Sequence, residues 1–306
     1  MFQYLIRRLL AGIPVLIGVS LITFILMHVV PGDPVTAMLE KRTDAETIAR
    51  IRHEMGLDRP LLTQYADFAK NAALGDLGKS YRTKQPVTQM IAKAMPMTIR
   101  LTFSAMVVAL LLGIPFGVAA SLRQNTWVDY MATITTLSFI SAPVFWVAIL
   151  AQIVFGLKLD LLPISGYEGW SYMIMPAVVL GSRYAASIAR YTRSSMLDVL
   201  NQEYVRTARA KGLAHRVVVW KHALRNAMVP LLTVIGLEIG GLLTGSILIE
   251  TIFGLPGLGQ LTVQGLGWRD FPMIQGNVLF TATVFVLMNI LVDVGYAAVD
   301  PRIRVA

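Results

Sequence analysis

The sequence contains no cysteine and only four histidines in 306 residues. The absence of cysteine excludes disulfide bonds, thiolate catalysis and cysteine-ligated metal sites. The histidines also lack the spacing of a metal-binding motif, so the sequence predicts no metal site. They are His28, His53, His215 and His222.

Charged residues are scarce as well, at 15% of the chain, whereas 55% of the residues are apolar. A soluble globular domain carries about 25% charged residues, so this composition predicts an integral membrane protein. Lysine and arginine outnumber aspartate and glutamate by 27 to 18, which gives a net charge of +9. Long apolar runs separate the basic residues, and no patch alternates basic with aromatic residues. We therefore expect contacts with anionic lipid headgroups of the bilayer rather than with nucleic acid.

Catalytic motifs are missing too. The glycine-rich segment 253–260 is not followed by Lys-Ser or Lys-Thr, and no strand pattern precedes it, which excludes a phosphate-binding loop. Glu238, Glu250 and Asp293 are scattered and do not form the paired acids or the metal motif that an intramembrane enzyme needs. The sequence therefore predicts no enzyme active site in this chain.

Six apolar segments are long enough to cross a bilayer, so the sequence predicts an all-α membrane protein with six transmembrane helices. Arg7 and Arg8 precede the first segment, which places the N-terminus in the cytosol. This segment resembles a signal peptide but has no small-residue cleavage site, so we expect it to remain as the first span. Six spans then place both termini in the cytosol. The segments are 9–30, 99–121, 130–156, 172–191, 229–252 and 277–299.

The largest polar insert, 31–97, lies between the first span (1–30) and a membrane core at 98–306. It contains ten basic and eight acidic residues, and a nearly neutral segment can be moved across the membrane. Apolar residues recur at helical spacing on both sides of Gly56, and Gly75 is expected to end the second of these helices. The insert is therefore predicted to be a small helical domain outside the cytosol.

Residues 192–228 form a polar connection between the fourth and fifth spans. Eight Arg or Lys residues against two acidic residues between positions 190 and 225 predict that it stays in the cytosol. Good helix formers from Glu203 to Lys211, followed by Gly212, predict a short helix. From these residues alone, the segment is either an ordinary basic loop that fixes the topology or a docking helix.

Several stretches resemble one family of transport proteins. They are Tyr204-Val-Arg-Thr-Ala-Arg-Ala-Lys-Gly212, Lys221-His-Ala-Leu-Arg-Asn-Ala227, Glu250-Thr-Ile-Phe-Gly-Leu-Pro-Gly-Leu-Gly259 and Asp300-Pro-Arg-Ile-Arg304. The sequence is similar to the inner-membrane permease subunits of ABC importers for dipeptides, oligopeptides, glutathione or nickel. The resemblance extends across nearly the whole chain and implies the type I importer permease fold.

In that family, a cytosolic coupling helix inserts into a groove on an ATPase subunit. The resemblance implies that Ala208 must be small for close approach to that subunit, and that Gly212 lets the chain turn at positive φ. Of the wider importer pattern, Glu-Ala-Ala with a Gly at the seventh position, only Ala208 and Gly212 match. The coupling helix would consist of Glu203, Tyr204, Arg206, Thr207, Ala208, Arg209, Ala210, Lys211 and Gly212.

The resemblance also implies partners and a location. A second homologous permease, two ABC ATPase subunits and an extracytoplasmic substrate-binding protein would complete an importer in the bacterial cytoplasmic (inner) membrane. The chain itself would bind no cofactor, because ATP and Mg would sit on the ATPase subunits. Peptides are the expected substrates, although nickel and glutathione importers share these motifs. The alternative, a secondary transporter or channel, would predict inverted repeats, and none is found.

Arg183 and Glu238 are the two charged residues deepest in the predicted spans. Each lies about eight or nine residues from the cytosolic end of its helix, or roughly 12 to 14 Å along the axis. An unpaired charge at that depth costs several kcal/mol, so the two are predicted to pair or to share a polar network. Arg183 would then be able to offer its guanidinium to a substrate carboxylate. The alternative is that Arg183 extends to the cytosolic interface and Glu238 carries a proton.

Overall fold

A computed structural model of the chain describes residues 2–29, 32–38 and 44–299. Every regular element in those ranges is helical, and one isolated bridge joins Lys79 to Pro86. The all-α prediction is therefore confirmed. In chain order the helices are α1 (Phe2–Val29), α2 (Pro34–Met38), α3 (Ala45–Glu54), α4 (Leu61–Ala73), α5 (Val87–Leu122), α6 (Trp127–Ser141), α7 (Val144–Ala151), α8 (Trp170–Leu200), α9 (Glu203–Ala210), α10 (His215–Val217), α11 (Arg225–Gly245), α12 (Ile247–Phe253), α13 (Leu258–Trp268) and α14 (Phe271–Val299).

Each predicted span corresponds to a helix or a bent pair of helices. Four helical stretches are long and apolar enough to cross a membrane, and α6 with the stretch that begins at α7 makes a fifth if the bent pair is one span. The fourth predicted span, 172–191, corresponds to α8, which has 31 residues but carries Arg183, Arg190 and Arg193. The four stretches are Ile6–Val29, Val87–Leu122, His215–Leu242 and Phe271–Gly295.

The third predicted span is broken more sharply than a simple bend. Ala142 and Pro143 leave helical geometry, and the axes of the two helical pieces on either side differ by 98°. Proline has no backbone N–H, and its ring collides with the preceding turn, so it ends α6. The second piece continues from α7 through a π-helical turn at Gln152–Lys158.

The predicted polar connection 192–228 is mostly helical, in agreement with the short helix predicted from Glu203. The fourth helix, α8, continues past Tyr191 to Leu200, and a helical stretch from His215 through a π-helical turn at Val218–Leu224 leads directly into α11. These helices extend beyond the predicted spans because their apolar stripe does so. Met196, for example, is fully buried against Val219 and Ala223. Irregular backbone is limited to short turns on either side of α9.

The glycine-rich segment after α12 leads into a further helix. Gly254 has φ +66°, which ends α12, and Leu258 then begins the eleven-residue helix α13. The hydroxyl of Thr98 accepts the backbone N–H of Leu258 at 2.9 Å, and the amide of Asn277 donates to the Leu258 carbonyl at 2.7 Å. The positive φ of Gly254 and the two hydrogen bonds to the Leu258 backbone therefore define the conformation here.

The first compact unit consists of Met1–Thr98 together with Pro256–Val286. In it α1 contacts α4, and the short α2 contacts both α3 and α13. Helix α3 begins at Asp44, whose carboxylate accepts the Thr47 N–H at 3.0 Å. The core of the unit is formed by Val87, Ile91, Ala94, Leu258, Leu261 and Met273.

The second unit consists of Ile99–Leu255 together with Leu287–Ala306. Helix α8 lies at its centre and packs against α6, α7 and α11. Glycine allows α5 to approach α8 closely, since a Cβ at Gly117 would lie 2.5 Å from the Ala189 carbonyl oxygen. Close packing through small residues is typical of helices in a membrane. The division into 1–30, 31–97 and 98–306, which rests on topology, stays a prediction.

Candidate functional site

Helix α9 is the predicted coupling helix, and the structure forms it from Glu203 to Ala210. Gln202 has extended geometry before its first turn, Glu203 lies in the first turn and Arg209 in the last. These charges complement the helix dipole, which favours anions at the N-terminus and cations at the C-terminus. The charged residues at its two ends therefore favour α9 starting at Glu203 and ending at Ala210.

One face of α9 packs on its own chain. Val205 is fully buried and Ala208 is 6% exposed, and both contact Val218. Val199 and Leu200, at the end of α8, complete this small core. Ala208 therefore faces the interior of its own chain, where its small size allows α9 to pack closely on Val218. The close approach to an ATPase subunit that was predicted for Ala208 stays a prediction.

The other face of α9 is exposed. Tyr204 has 42% of its surface exposed, and the guanidinium of Arg206 lies 3.2 Å from the Glu203 carboxylate. That ion pair is on the surface, so it contributes little to stability. The exposed members of the predicted site are Glu203, Tyr204, Arg206, Thr207, Arg209, Ala210, Lys211 and Gly212. Three of their side chains are basic and one is acidic, so this face favours an acidic partner surface.

Gly212 ends the helix in the way predicted. Its φ is +74°, and its N–H donates to the Arg209 carbonyl at 3.0 Å. The Leu213 N–H reaches back to the Ala208 carbonyl at 3.4 Å, which completes a Schellman cap. A Cβ added at Gly212 would meet no other atom within 4 Å. The positive φ, and not lack of space, is therefore the reason for glycine at this position.

A buried cluster next to α9 connects the ends of three long helices. Met196 of α8 and Val118 of α5 lie in one buried cluster with Ala227 of α11. The π-helical turn Val218–Leu224 contributes residues to this cluster and to the core beneath α9. Val199 and Leu200 pack against both clusters, so packed side chains connect α9 with the ends of these three helices.

An ion pair between Asp129 and Arg193 is a feature that the sequence analysis missed. The guanidinium of Arg193 donates twice to the Asp129 carboxylate, from Nε at 2.6 Å and from Nη2 at 2.7 Å. Asp129 also accepts the Asn125 N–H at 3.0 Å, and its side chain is only 5% exposed. The pair fixes the start of α6 to α8. The only sequence signal was an acidic residue in the first turn of an apolar helix, opposite a basic segment.

Arg183 and Glu238 do not form a direct ion pair within the described part of the chain. The Ser187 hydroxyl donates to Glu238 Oε1 at 2.8 Å, whereas Arg183 is exposed. A Cβ at Gly241 would lie 3.7 Å from the Tyr184 hydroxyl, so Tyr184 lies beside α11 one turn further on. Since a helix turns about 100° per residue, Ser187 lies between the faces of Arg183 and Tyr184. The shared polar network stays a prediction, with Ser187 as a member that the sequence analysis did not name.

A buried carboxylate organises a second polar site, in the first unit. Asp270 is fully buried and accepts the Ser80 hydroxyl, the Tyr81 N–H at 3.1 Å and the Arg82 N–H at 3.3 Å. Burial, and secondarily the charge of Asp270, raise the pKa of the Tyr81 phenol from 10.0 to about 12. The hairpin 79–86 is thus held in one conformation by a residue far away in sequence.

Comparison with known proteins agrees with this arrangement. Residues 113–305 match the family described as the binding-protein-dependent transport system inner membrane component, and residues 1–102 match the N-terminal part of the membrane component of such systems. The chain belongs to this family of inner-membrane transport components. It is accordingly a multi-pass permease subunit of an ABC importer and not itself an enzyme.

Two curated relatives cover nearly all of the chain. It is 40% identical to the dipeptide transport system permease protein DppB of Alkalihalophilus pseudofirmus, over 99% of this chain and 100% of that protein. It is 42% identical to the glutathione transport system permease protein GsiC of Escherichia coli strain K12, over 99% of both chains. The resemblance to importers of this branch is therefore confirmed.

Solved structures support the fold. An inward-facing structure of the MetNI methionine ABC transporter matches with a TM-score of 0.60 at 17% identity, over 70% of this chain and 97% of that chain. A structure titled as an amino acid ABC transporter with histidines matches with a TM-score of 0.53 at 18% identity, over 70% and 94%. The type I importer permease fold is thereby confirmed.

Proposed function

We propose that this chain is the permease subunit of a peptide importer and that α9 couples it to ATP hydrolysis. The substrate class is supported by two relatives, one named for dipeptides and one for glutathione. Each of them is similar to this chain over nearly its full length. Glutathione is itself a small peptide, so both names point to the same substrate class. ATP and Mg²⁺ would be bound by the partner ATPases.

The partners follow from the family. A second, homologous permease would complete the translocation path, two ATPase subunits would bind on the cytosolic side, and a substrate-binding protein would deliver peptides from outside. Both termini and α9 would lie in the cytosol, and the helices α2 to α4 on the opposite side. The basic face of α9, in a segment with eight basic and two acidic residues, supports this orientation.

Coupling would act through the two faces of α9. The exposed face, with Tyr204 at 42% exposure, would enter the ATPase groove, and the buried face would carry the movement to the permease core. Val205 and Ala208 hold α9 to the end of α8, and Gly212 fixes the direction in which the chain leaves. The helix then moves together with α8 when the ATPase subunits close.

The polar network around Glu238 would lie on or beside the translocation path. Ser187 holds the Glu238 carboxylate, and the exposed Arg183 guanidinium remains able to bind a peptide carboxylate during passage. Charge reversal tests this step. If Arg183→Glu and Glu238→Arg each impair transport and the double exchange restores none of it, Arg183 and Glu238 do not share one network.

Uptake by the reconstituted importer tests the function. Proteoliposomes with the permease pair and ATPases, supplied with the binding protein outside and ATP inside, should accumulate radiolabelled Ala-Ala or glutathione. Removal of the binding protein or of ATP should stop uptake. Competition between the two peptides then identifies the preferred substrate. If neither accumulates while Ni²⁺ does, the peptide assignment is wrong.

A further inference from the structure

A polar cavity of about 300 Å³ lies within the first unit, and neither the coupling helix nor the membrane network accounts for it. Its walls come from the end of α1, from α3 and α4, from the hairpin at Tyr81 and from the start of α14. The volume lies at the lower end of the roughly 300 to 1,000 Å³ found for small-ligand sites. It therefore suits a molecule of about two or three residues.

Gln275 and the Tyr81 hydroxyl line the cavity without hydrogen-bond partners among the described residues. Gln275 is only 7% exposed, yet its side-chain amide forms no hydrogen bond with any described residue. The Tyr81 hydroxyl forms none either, while the Tyr81 backbone N–H is fixed on Asp270. The Gln275 side chain lines the cavity, so its amide is free to bond to a molecule that enters. An amide both donates and accepts, and its natural counterpart is another amide.

The rim of the cavity is acidic. Three carboxylates line it, against one arginine. Arg59 already contacts Asp67 at 3.3 Å, whereas Asp76 forms no ion pair with any described residue and uses Oδ1 to accept the Gly78 N–H at 2.9 Å. The rim therefore favours a cationic group near Asp76. The third carboxylate, Glu54, lies 4.0 Å from an exposed arginine outside the cavity.

Aromatic rings form the remaining wall. Phe24, Phe68 and Phe271 line the cavity, and His28 stacks on Phe24 with ring centroids 4.2 Å apart. The nitrogens of His28 are already in contact with the Phe24 carbonyl and the Gln64 amide oxygen, so His28 acts as part of the wall. Aromatic faces attract ammonium groups, which agrees with the acidic rim.

We propose that this cavity binds the N-terminal end of a small peptide. The ammonium group would lie at Asp76 and the aromatic wall, and the first peptide amide would bond to Gln275 and the Tyr81 hydroxyl. The inference rests on the proposed function and adds a peptide site outside the membrane path, within the insert that would face the substrate-binding protein. A peptide released by that protein would meet this site before the path between the permeases.

Calorimetric titration tests the proposal without transport. The assembled importer in nanodiscs, without ATP or binding protein, is titrated with Ala-Ala, N-acetyl-Ala-Ala and putrescine. We expect saturable Ala-Ala binding, at least tenfold weaker N-acetyl-Ala-Ala binding and weaker putrescine binding. Gln275→Leu keeps the side-chain volume and should weaken Ala-Ala binding about tenfold, as expected for a lost hydrogen bond. Gln89→Leu, at an exposed glutamine of the same unit, is the matched control and should change nothing.

Several results would overturn the site: no saturable Ala-Ala binding, equal binding of the acetylated peptide or of putrescine, or unchanged affinity in Gln275→Leu. Should Gln275→Leu fail to assemble, Tyr81→Phe decides in its place, because it removes only the hydroxyl and should weaken binding several-fold. Uptake by the same preparation separates this proposal from the proposed function. Normal ATP-driven uptake without Ala-Ala binding refutes the cavity alone, whereas binding without uptake refutes the importer assignment.

Discussion

The attachment of α9 to its own chain gives the sharpest prediction. Val205→Ala removes two methyl groups from a fully buried side chain, which costs about 2 kcal/mol when the transfer and cavity terms are combined. An eight-residue helix is marginal in water by itself, so its folded state depends on these contacts. A loss of about 2 kcal/mol raises the population of detached helix roughly 30-fold.

Hydrogen exchange measures this change directly. In the purified complex, the amides of residues 207–212 should exchange roughly 30-fold faster in Val205→Ala than in the wild type. Val217→Ala is the matched control, because Val217 lies on the neighbouring helical stretch and is 38% exposed. Unchanged exchange in Val205→Ala, in a protein that inserts and assembles normally, would refute the packing argument. Equal acceleration in both variants would do the same.

Three further outcomes are expected. Gly212→Val should cost about 1 to 2 kcal/mol through its positive φ and abolish substrate-stimulated ATP hydrolysis, whereas Gly212→Asn, which tolerates that φ, should retain most of it. Asp129→Asn should lower the free energy of unfolding by about 2 kcal/mol and with it the thermal unfolding temperature. The loss is smaller than for a fully buried ion pair, because 30% of the Arg193 side chain is exposed. Asp198→Asn is the control, and it should have little effect because Asp198 is exposed. The absorbance difference between wild type and Tyr81→Phe should show a phenol that ionises near pH 12. In the unfolded chain the pKa of this phenol is near 10.0. The stability that Tyr81 contributes is therefore complete below pH 10.0 and is lost as the pH rises from 10.0 to about 12.

Much of the fold could be predicted because the relevant signals are local. Apolar segments of membrane-spanning length, Pro143 in the third of them and Gly212 after a run of helix formers each act on the backbone around them. The helices within 192–228 follow from signals of the same kind. Gly212 ends a run of helix formers, and Met196 and Val219 continue a buried apolar stripe among the charges.

The candidate site could be predicted only in part, because pairing between distant residues leaves no mark on either of them. The sequence singled out the segment from Glu203 to Gly212, but it could not show which face packs inward. Asp129 and Arg193 are separated by 64 positions, and Ser80 and Asp270 by 190. Only the packing of the helices brings such residues together.

The central claim, that the exposed face of α9 binds an ATPase subunit, can be tested most directly by crosslinking. The chain has no cysteine, so Tyr204→Cys introduces a single reactive thiol at an exposed position of α9. Tyr167→Cys provides the matched control, since Tyr167 is also exposed, at 56%, and would lie on the opposite side of the membrane. In the assembled importer we expect a short thiol-to-amine crosslinker to join the thiol at position 204, but not the one at position 167, to a lysine of an ATPase subunit. No adduct from position 204, or equal adducts from both positions, would contradict the assignment of α9 as the coupling helix.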